Sequence, residues 1–315
     1  MENLLNPVIL FFLAGILAAL LRSDLRIPDP IYEAMSIFLL IAIGLKGGIA
    51  LRDADAAEVA WPIISTLGLG LAIPVVAYVV LRRLGRFNRA DAAALSAHYG
   101  SVSAVTFAVT LSFLDRKEIA YEGYATVLLS LMEIPAIAVA IGIFRFGERQ
   151  DGKMNWPKLL HEVFLGKSIF LLLTGLFVGL IAGGERTGAI GRLFIDQFQG
   201  ILAVFLLTMG MLAARRFEDL KKVGPFLLAF GILMPLAAGL AGAGVGAAAG
   251  LSLGETTVLA VLTASASYIA APAAVRVAIP QANPTLYLTA AIGITFPFNV
   301  IIGIPIYHAM AGLFV

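Results

Sequence analysis

Two short stretches gather most of the polar groups that can meet a small ion. Tyr99-Gly100-Ser101-Val102-Ser103-Ala104-Val105-Thr106 puts a glycine and several hydroxyls in the middle of a long apolar run. Thr263, Ser265, Ser267 and Tyr268, followed by Pro272, do the same in a second run. Proline removes a helical donor and clashes with the preceding turn, so both stretches read as helices that break. A broken helix exposes backbone N–H groups at the positive end of its dipole. Two such ends facing each other make an anion site without a fixed arginine. Hydroxyls can donate to an oxyanion, and their oxygens, with carbonyls freed at the breaks, also suit a hard cation such as Na⁺. Either stretch alone is better explained by small-residue helix packing. Their occurrence as a pair favours a site.

Charged and amide groups within apolar runs come next. Glu133, in Leu131-Met132-Glu133-Ile134-Pro135, is a candidate cation ligand or proton carrier, because a carboxylate at that depth faces a cavity or a partner. Its structural alternative is a pairing with Lys46. Lys46 lies in Gly44-Leu45-Lys46-Gly47-Gly48 and either faces the anion path or reaches to the interface. Asn299 also neighbours a proline, Pro297, and stands 166 residues beyond Glu133. His98 sits beside the first break and reads as an interhelical hydrogen-bonding histidine. His161 and His308 have no partners at ligand spacing, so no metal site other than a sodium site is expected. Gly242, Gly246 and Gly250 form a GxxxG ladder suited to close helix packing. No phosphate-binding Gly-Lys-Ser/Thr loop, zincin motif or nucleophile elbow occurs. Neither catalytic residues nor an organic cofactor are expected.

The elements that must hold these residues follow from composition. Of 315 residues, 60% are hydrophobic and 13% charged, with a mean hydropathy of +0.95. Soluble domains carry about 25% charged residues, and a single core strains at some 250–300 residues. These values exclude a soluble enzyme and a disordered chain. A net charge of +2 gives no reason to expect a nucleic-acid partner. With no cysteine, disulfides and thiol chemistry are excluded as well.

Apolar runs long enough to cross a bilayer fall at roughly 5–22, 34–51, 61–81, 90–114, 122–144, 168–183, 193–214, 223–250, 255–276 and 285–312. The first lacks a basic start and a small-residue cleavage site, so a span is expected there, not a signal peptide. Ten spans place 16 basic residues in odd-numbered connections and 5 on the other side, leaving Lys46 inside a span. That bias puts the odd connections in the cytoplasm of a plasma-membrane protein and both termini outside.

Residues 38–53 resemble 204–219, and Gly100-Ser101-Val102-Ser103 faces Ala266-Ser267-Tyr268-Ile269 at the same separation of 166. The expectation is an all-α, polytopic fold of ten transmembrane helices in two inverted five-helix repeats, with helices 4 and 9 discontinuous. Residues 1–144 form the first repeat, 145–167 a cytoplasmic linker and 168–315 the second. Core and gate domains then each draw on both repeats.

At these residues the chain resembles the sodium-dependent bicarbonate transporters, first known from cyanobacterial carbon-concentrating systems. Ala42-Ile43-Gly44-Leu45-Lys46-Gly47-Gly48 with Ala50-Leu51-Arg52, Tyr99-Gly100-Ser101-Val102-Ser103 with Thr106, and Ala264-Ser265-Ala266-Ser267 through Pro272 carry the likeness. Met132-Glu133-Ile134-Pro135 and Ile279-Pro280-Gln281-Ala282-Asn283-Pro284 also fit. The resemblance implies a core and a gate domain, usually in a homotrimer, and sodium-dependent bicarbonate uptake. By motif match Gly100, Ser101, Val102, Ser103, Ala104, Thr106, Ser265 and Ser267 line the anion site. Na⁺ is expected near Ser103, Glu133, Ser267 and Asn299. Members carry an Asp after the span-9 serines, where this chain has Tyr268, and an Asp where it has Glu133. The Tyr268 difference leaves sodium or proton coupling, and cargo as bicarbonate or a small carboxylate, as alternatives. Members also bind a PII-type regulatory protein on the cytoplasmic face.

Overall fold

A computed structural model describes residues 6–52, 56–147 and 165–315, and these are helical throughout, with no strand among them. The helices are α1 (Pro7–Leu20), α2 (Asp29–Leu51), α3 (Ala56–Arg83), α4 (Arg89–Gly100), α5 (Ala104–Arg116) and α6 (Ala125–Gly147), then α7 (Lys167–Asp196), α8 (Phe198–Arg216), α9 (Leu220–Ala248), α10 (Leu253–Ala264) and α11 (Ala270–Ala278). The last, α12 (Pro284–Ala311), is α-helical at both ends and opens into π-turns at Thr289–Thr295 and Asn299–Gly303. Among the described residues seven stretches are long and apolar enough to cross a membrane, one of them Phe198–Ala248, in which α8 and α9 run together. α1 and α10 are apolar but shorter.

Helix α7 kinks where Gly183 and Gly188 take positive φ. Most of the expected linker, with Arg149, Lys153, Lys158 and His161, lies outside the described residues.

Two packing groups form. In one, α1 lies on α8 and α2 on α7. Gly15 with Gly210, and Gly44 with Gly175, make those approaches possible, since a Cβ at any of the four would strike a backbone carbonyl of the facing helix. In the other group α3, α4 and α6 pack together, and α9, α10 and α12 do the same. The GxxxG ladder belongs to this second group. Gly242 and Gly246 seat α10 through Thr263 and Thr256. Gly250 is no part of the ladder: it follows the end of α9 with φ +75 and turns the chain.

Candidate functional site

Both expected breaks are present, and they bond to each other. Helix α4 stops at Gly100, and the chain runs extended through Ser101 to Ser103 before α5 begins. Ser103 caps α5: its Oγ accepts from the Thr106 N–H at 3.1 Å and from the Thr106 hydroxyl at 2.9 Å. In the second break α10 stops at Ala264, and Ser267 Oγ accepts from the Ala271 N–H at 3.2 Å. The Ser103 N–H donates across to Ser265 Oγ at 3.0 Å, and the Ser267 N–H donates back to the His98 carbonyl at 2.8 Å. The Ser265 hydroxyl in turn donates to the Leu262 carbonyl at 2.9 Å. Each unwound segment thereby satisfies backbone groups of the other. The first-turn N–H groups of Ala104 and Val105 have no partner within their helix, and Ala104 faces a cavity.

The caps correct the internal alignment. Asn88 and Ser252 start the two half-helices, Ser101 and Ser265 end them, and Ser103 and Ser267 follow, each pair 164 residues apart. The separation of 166 that matches residues 38–53 to 204–219 does not extend to the breaks. At the breaks Ser101 pairs with Ser265 and Ser103 with Ser267.

A cavity of about 10 Å³ lies between the breaks and is bordered by Val102, Ser103, Ala104, Glu133, Ser267 and Tyr268. That is room for one water-sized particle, less than a four-heavy-atom anion needs. Glu133 is 7% exposed and makes no ion pair or hydrogen bond among the described residues. A carboxyl group so placed either keeps its proton or takes a cation. Lys46 does not supply it, being bonded to Asp115 and Tyr121 instead.

Ser103, Glu133 and Ser267 therefore share one cavity. Asn299 does not border it: its Nδ2 donates to the Ala264 carbonyl at 2.8 Å, and its Oδ1 accepts from the Tyr307 hydroxyl at 2.8 Å. It closes the end of α10, one step removed from the cavity. Gly100 and Thr106 are buried behind the break, Gly100 against Pro74 and Ala136. The Ser101 hydroxyl and His98 Nε2 are buried without a hydrogen-bond partner. His98 is thus only half satisfied, through Nδ1 on the Ala94 carbonyl of its own helix, and its ring stacks on Tyr287 at 4.5 Å.

Three further side chains shape the region, and the last two were not anticipated. The Tyr268 ring borders the cavity and packs edge-on against Phe296 at 5.3 Å, while its hydroxyl comes near the Ser103 side chain without making a hydrogen bond of good geometry. Asp91, in the first turn of α4, accepts from the Asn283 N–H at 2.7 Å, just ahead of α12. Glu255, in the first turn of α10, accepts from the Tyr124 hydroxyl, just ahead of α6. Glu133 is therefore not the only acid buried among the helices. The patterns Asn88-x-x-Asp91 and Ser252-x-x-Glu255 carried the signal, because a polar cap followed three residues later by an acid marks a helix start.

Residues 7–312 match a family model described as the Na⁺-dependent bicarbonate transporter superfamily. No curated protein matches the chain.

Proposed function

The chain belongs to the Na⁺-dependent bicarbonate transporter superfamily and is a membrane transporter, not an enzyme; from that membership we propose that it takes up bicarbonate with Na⁺ across the plasma membrane. The observation that carries the reading is the unpaired Glu133 carboxylate in a cavity between two cross-bonded helix breaks. In this reading Na⁺ sits among Ser103, Glu133 and Ser267, and the cavity has room for one such ion. Asn299 supports the site by holding the end of α10. The anion binds beside the cation, on the N–H groups that begin α5 and on the hydroxyls of Ser101, Ser103 and Ser267, with Thr106 and Ser265 holding the breaks in place. It draws on the positive helix end and on the neighbouring Na⁺. Because the cavity is smaller than bicarbonate, the breaks must part for the anion to enter.

The proposed architecture is ten spans in two inverted repeats, 1–144 and 168–315, joined by a cytoplasmic linker. Counting Phe198–Ala248 as two passes, and adding α1 and the α10–α11 pair, gives ten. The matched caps and the reciprocal packing of α1 on α8 and α2 on α7 support it. A gate domain of α1, α2, α7 and α8 then stands beside a core of the remaining helices, and the core carries the ions by an elevator-like movement. Both termini lie outside, on the charge bias of the connections. A homotrimer, with a PII-type regulator on the cytoplasmic face, completes the proposal.

Labelled bicarbonate uptake into proteoliposomes, with and without a Na⁺ gradient, tests it. Na⁺-stimulated uptake is expected. Uptake driven by a pH gradient alone would move the coupling to protons, and no uptake at all would remove bicarbonate as the cargo. A second reading, a small carboxylate as cargo, is favoured by Tyr268, whose ring borders the cavity. Thermal shift with small anions, in Na⁺ and in K⁺, separates the two.

A further inference from the structure

Away from the breaks, three polar side chains from separate parts of the chain close on one another. Lys46 of α2 places Nζ 2.8 Å from the Tyr121 hydroxyl and 3.5 Å from Asp115 Oδ2. The Tyr121 hydroxyl donates to Asp115 Oδ1 at 2.9 Å. Burial, and next the adjacent carboxylate, hold that phenol far above its usual range, so it remains a donor. The three line a cavity of about 460 Å³ together with Glu118 and Glu122. Three acids against one base give it the wrong sign to gather an anion. Capture of the substrate by Lys46 is therefore disfavoured.

What the cluster does is add a polar tie between helices that pack mainly on others. Helix α2 lies chiefly on α7 and α8, whereas Asp115 stands near the end of α5, which packs chiefly on α10. One residue beyond Lys46, Gly47 has no Cβ because the Thr126 side chain of α6 fills its place. The cavity at Glu133 shares Ser168 and Ile269 with a cavity of about 270 Å³ that holds Glu33 and Lys167, and shares no residue with the one at Lys46. The candidate site thus adjoins the Glu33 cavity and lies apart from the Lys46 cavity. Ala104, Ala108 and Leu111 follow one face of α5. The first borders the Glu133 cavity and the last the Lys46 cavity. Between them Ala108 is fully buried, in a pocket with Ile43 and Phe205 of α2 and α8.

We propose that Lys46, Asp115 and Tyr121 form the outer gate of the transporter, a latch that ties α2 to α5 and must release before the Ala108 face opens to the outside. The proposal rests on the sided, two-domain reading above. The ion pair of Lys167 with Glu33, 3.6 Å, joins α7 to α2 within one packing group and so serves as the control.

The chain has no cysteine, so one introduced thiol reports alone. In intact cells expressing Ala108→Cys, labelling by a membrane-impermeant maleimide reads the outward opening. Adding Lys46→Met or Asp115→Asn is expected to speed labelling about 2- to 5-fold, the population shift a partly exposed ion pair supports. The exchange Lys46→Asp with Asp115→Lys is expected to slow it again, and Glu33→Gln to leave it unchanged. Parent-like rates in the single variants, an exchange as fast as the singles, or equal acceleration by Glu33→Gln would each overturn the latch. Should Ala108→Cys fail to fold, Ile43→Cys reads the same opening from the α2 side. Glu122→Cys, exposed beside the latch, shows which membrane face carries it. Labelling of that thiol only from within would correct the sidedness, and the reagent is then applied from that face. Neither readout uses bicarbonate, so a different cargo would leave the result standing.

Discussion

The two broken helices share a plan and differ in how firmly each is tied. In the first, Ser103 directly precedes α5, accepts two hydrogen bonds from Thr106, and starts a helix of 13 residues. In the second, Tyr268 and Ile269 intervene between Ser267 and α11, which has 9 residues and no side-chain bond from its cap Ile269. Where the first half has Ala104, the second has Tyr268, 164 residues on. The start of α5 is thus the more firmly capped of the two. The start of α11 has one single-bond serine cap and the aromatic packing of Tyr268 on Phe296, and the bonds across to the first break and from Asn299 hold the segment before it. Ion selectivity should depend more on the first, and the shape available to the anion more on the second.

Substitutions can break or sharpen this contrast. The largest effect is expected at Glu133, which serves both halves. Glu133→Gln should raise the Na⁺ concentration needed for bicarbonate uptake at least about 100-fold, as removal of one partner from a buried charge pair does. Uptake kinetics against Na⁺ measure it. Ser103→Ala comes next, with an expected loss of about 10-fold in Na⁺-dependent bicarbonate affinity, because a cap and a proposed ligand are lost together. Calorimetric titration of purified protein reads it. Ser267→Ala should cost only about 3-fold, its hydroxyl accepting a single long bond. An equal or greater loss there would erase the distinction between the halves. The smallest effect belongs to Tyr268→Phe. That hydroxyl has only a loose approach to Ser103 to lose, so thermal stability should stay within about 0.5 kcal/mol. A marked change in anion preference alone would place the hydroxyl on the substrate.

The breaks were legible because their cause is local. Glycine, serines and proline interrupt apolar runs, and backbone chemistry acts on that directly. Glu133 was legible because a carboxylate there has few places to go. The partner of Lys46 was not, since Asp115 and Tyr121 lie 69 and 75 residues away and nothing local selects them. Asn299 looked like a second Glu133 by its proline neighbour. Its role in closing α10 depends on the path of α12, which π-turns on both sides of it reshape. The separation of 166 came from the strongest local likeness, whereas the caps report geometry and give 164. The direction of the Tyr268 ring depends on Phe296, which no spacing rule connects to it.

The long reach of the bonds that close the breaks bears on how the chain is made. The Ser103 N–H waits for Ser265, the His98 carbonyl for Ser267 and the Asp91 carboxylate for Asn283. Until those residues emerge from the ribosome, the first broken helix holds unpaired backbone groups at membrane depth, which lipid cannot satisfy. The site is therefore among the last features to assemble, and a chain interrupted ahead of residue 265 leaves the insertion machinery with an open helix to shelter.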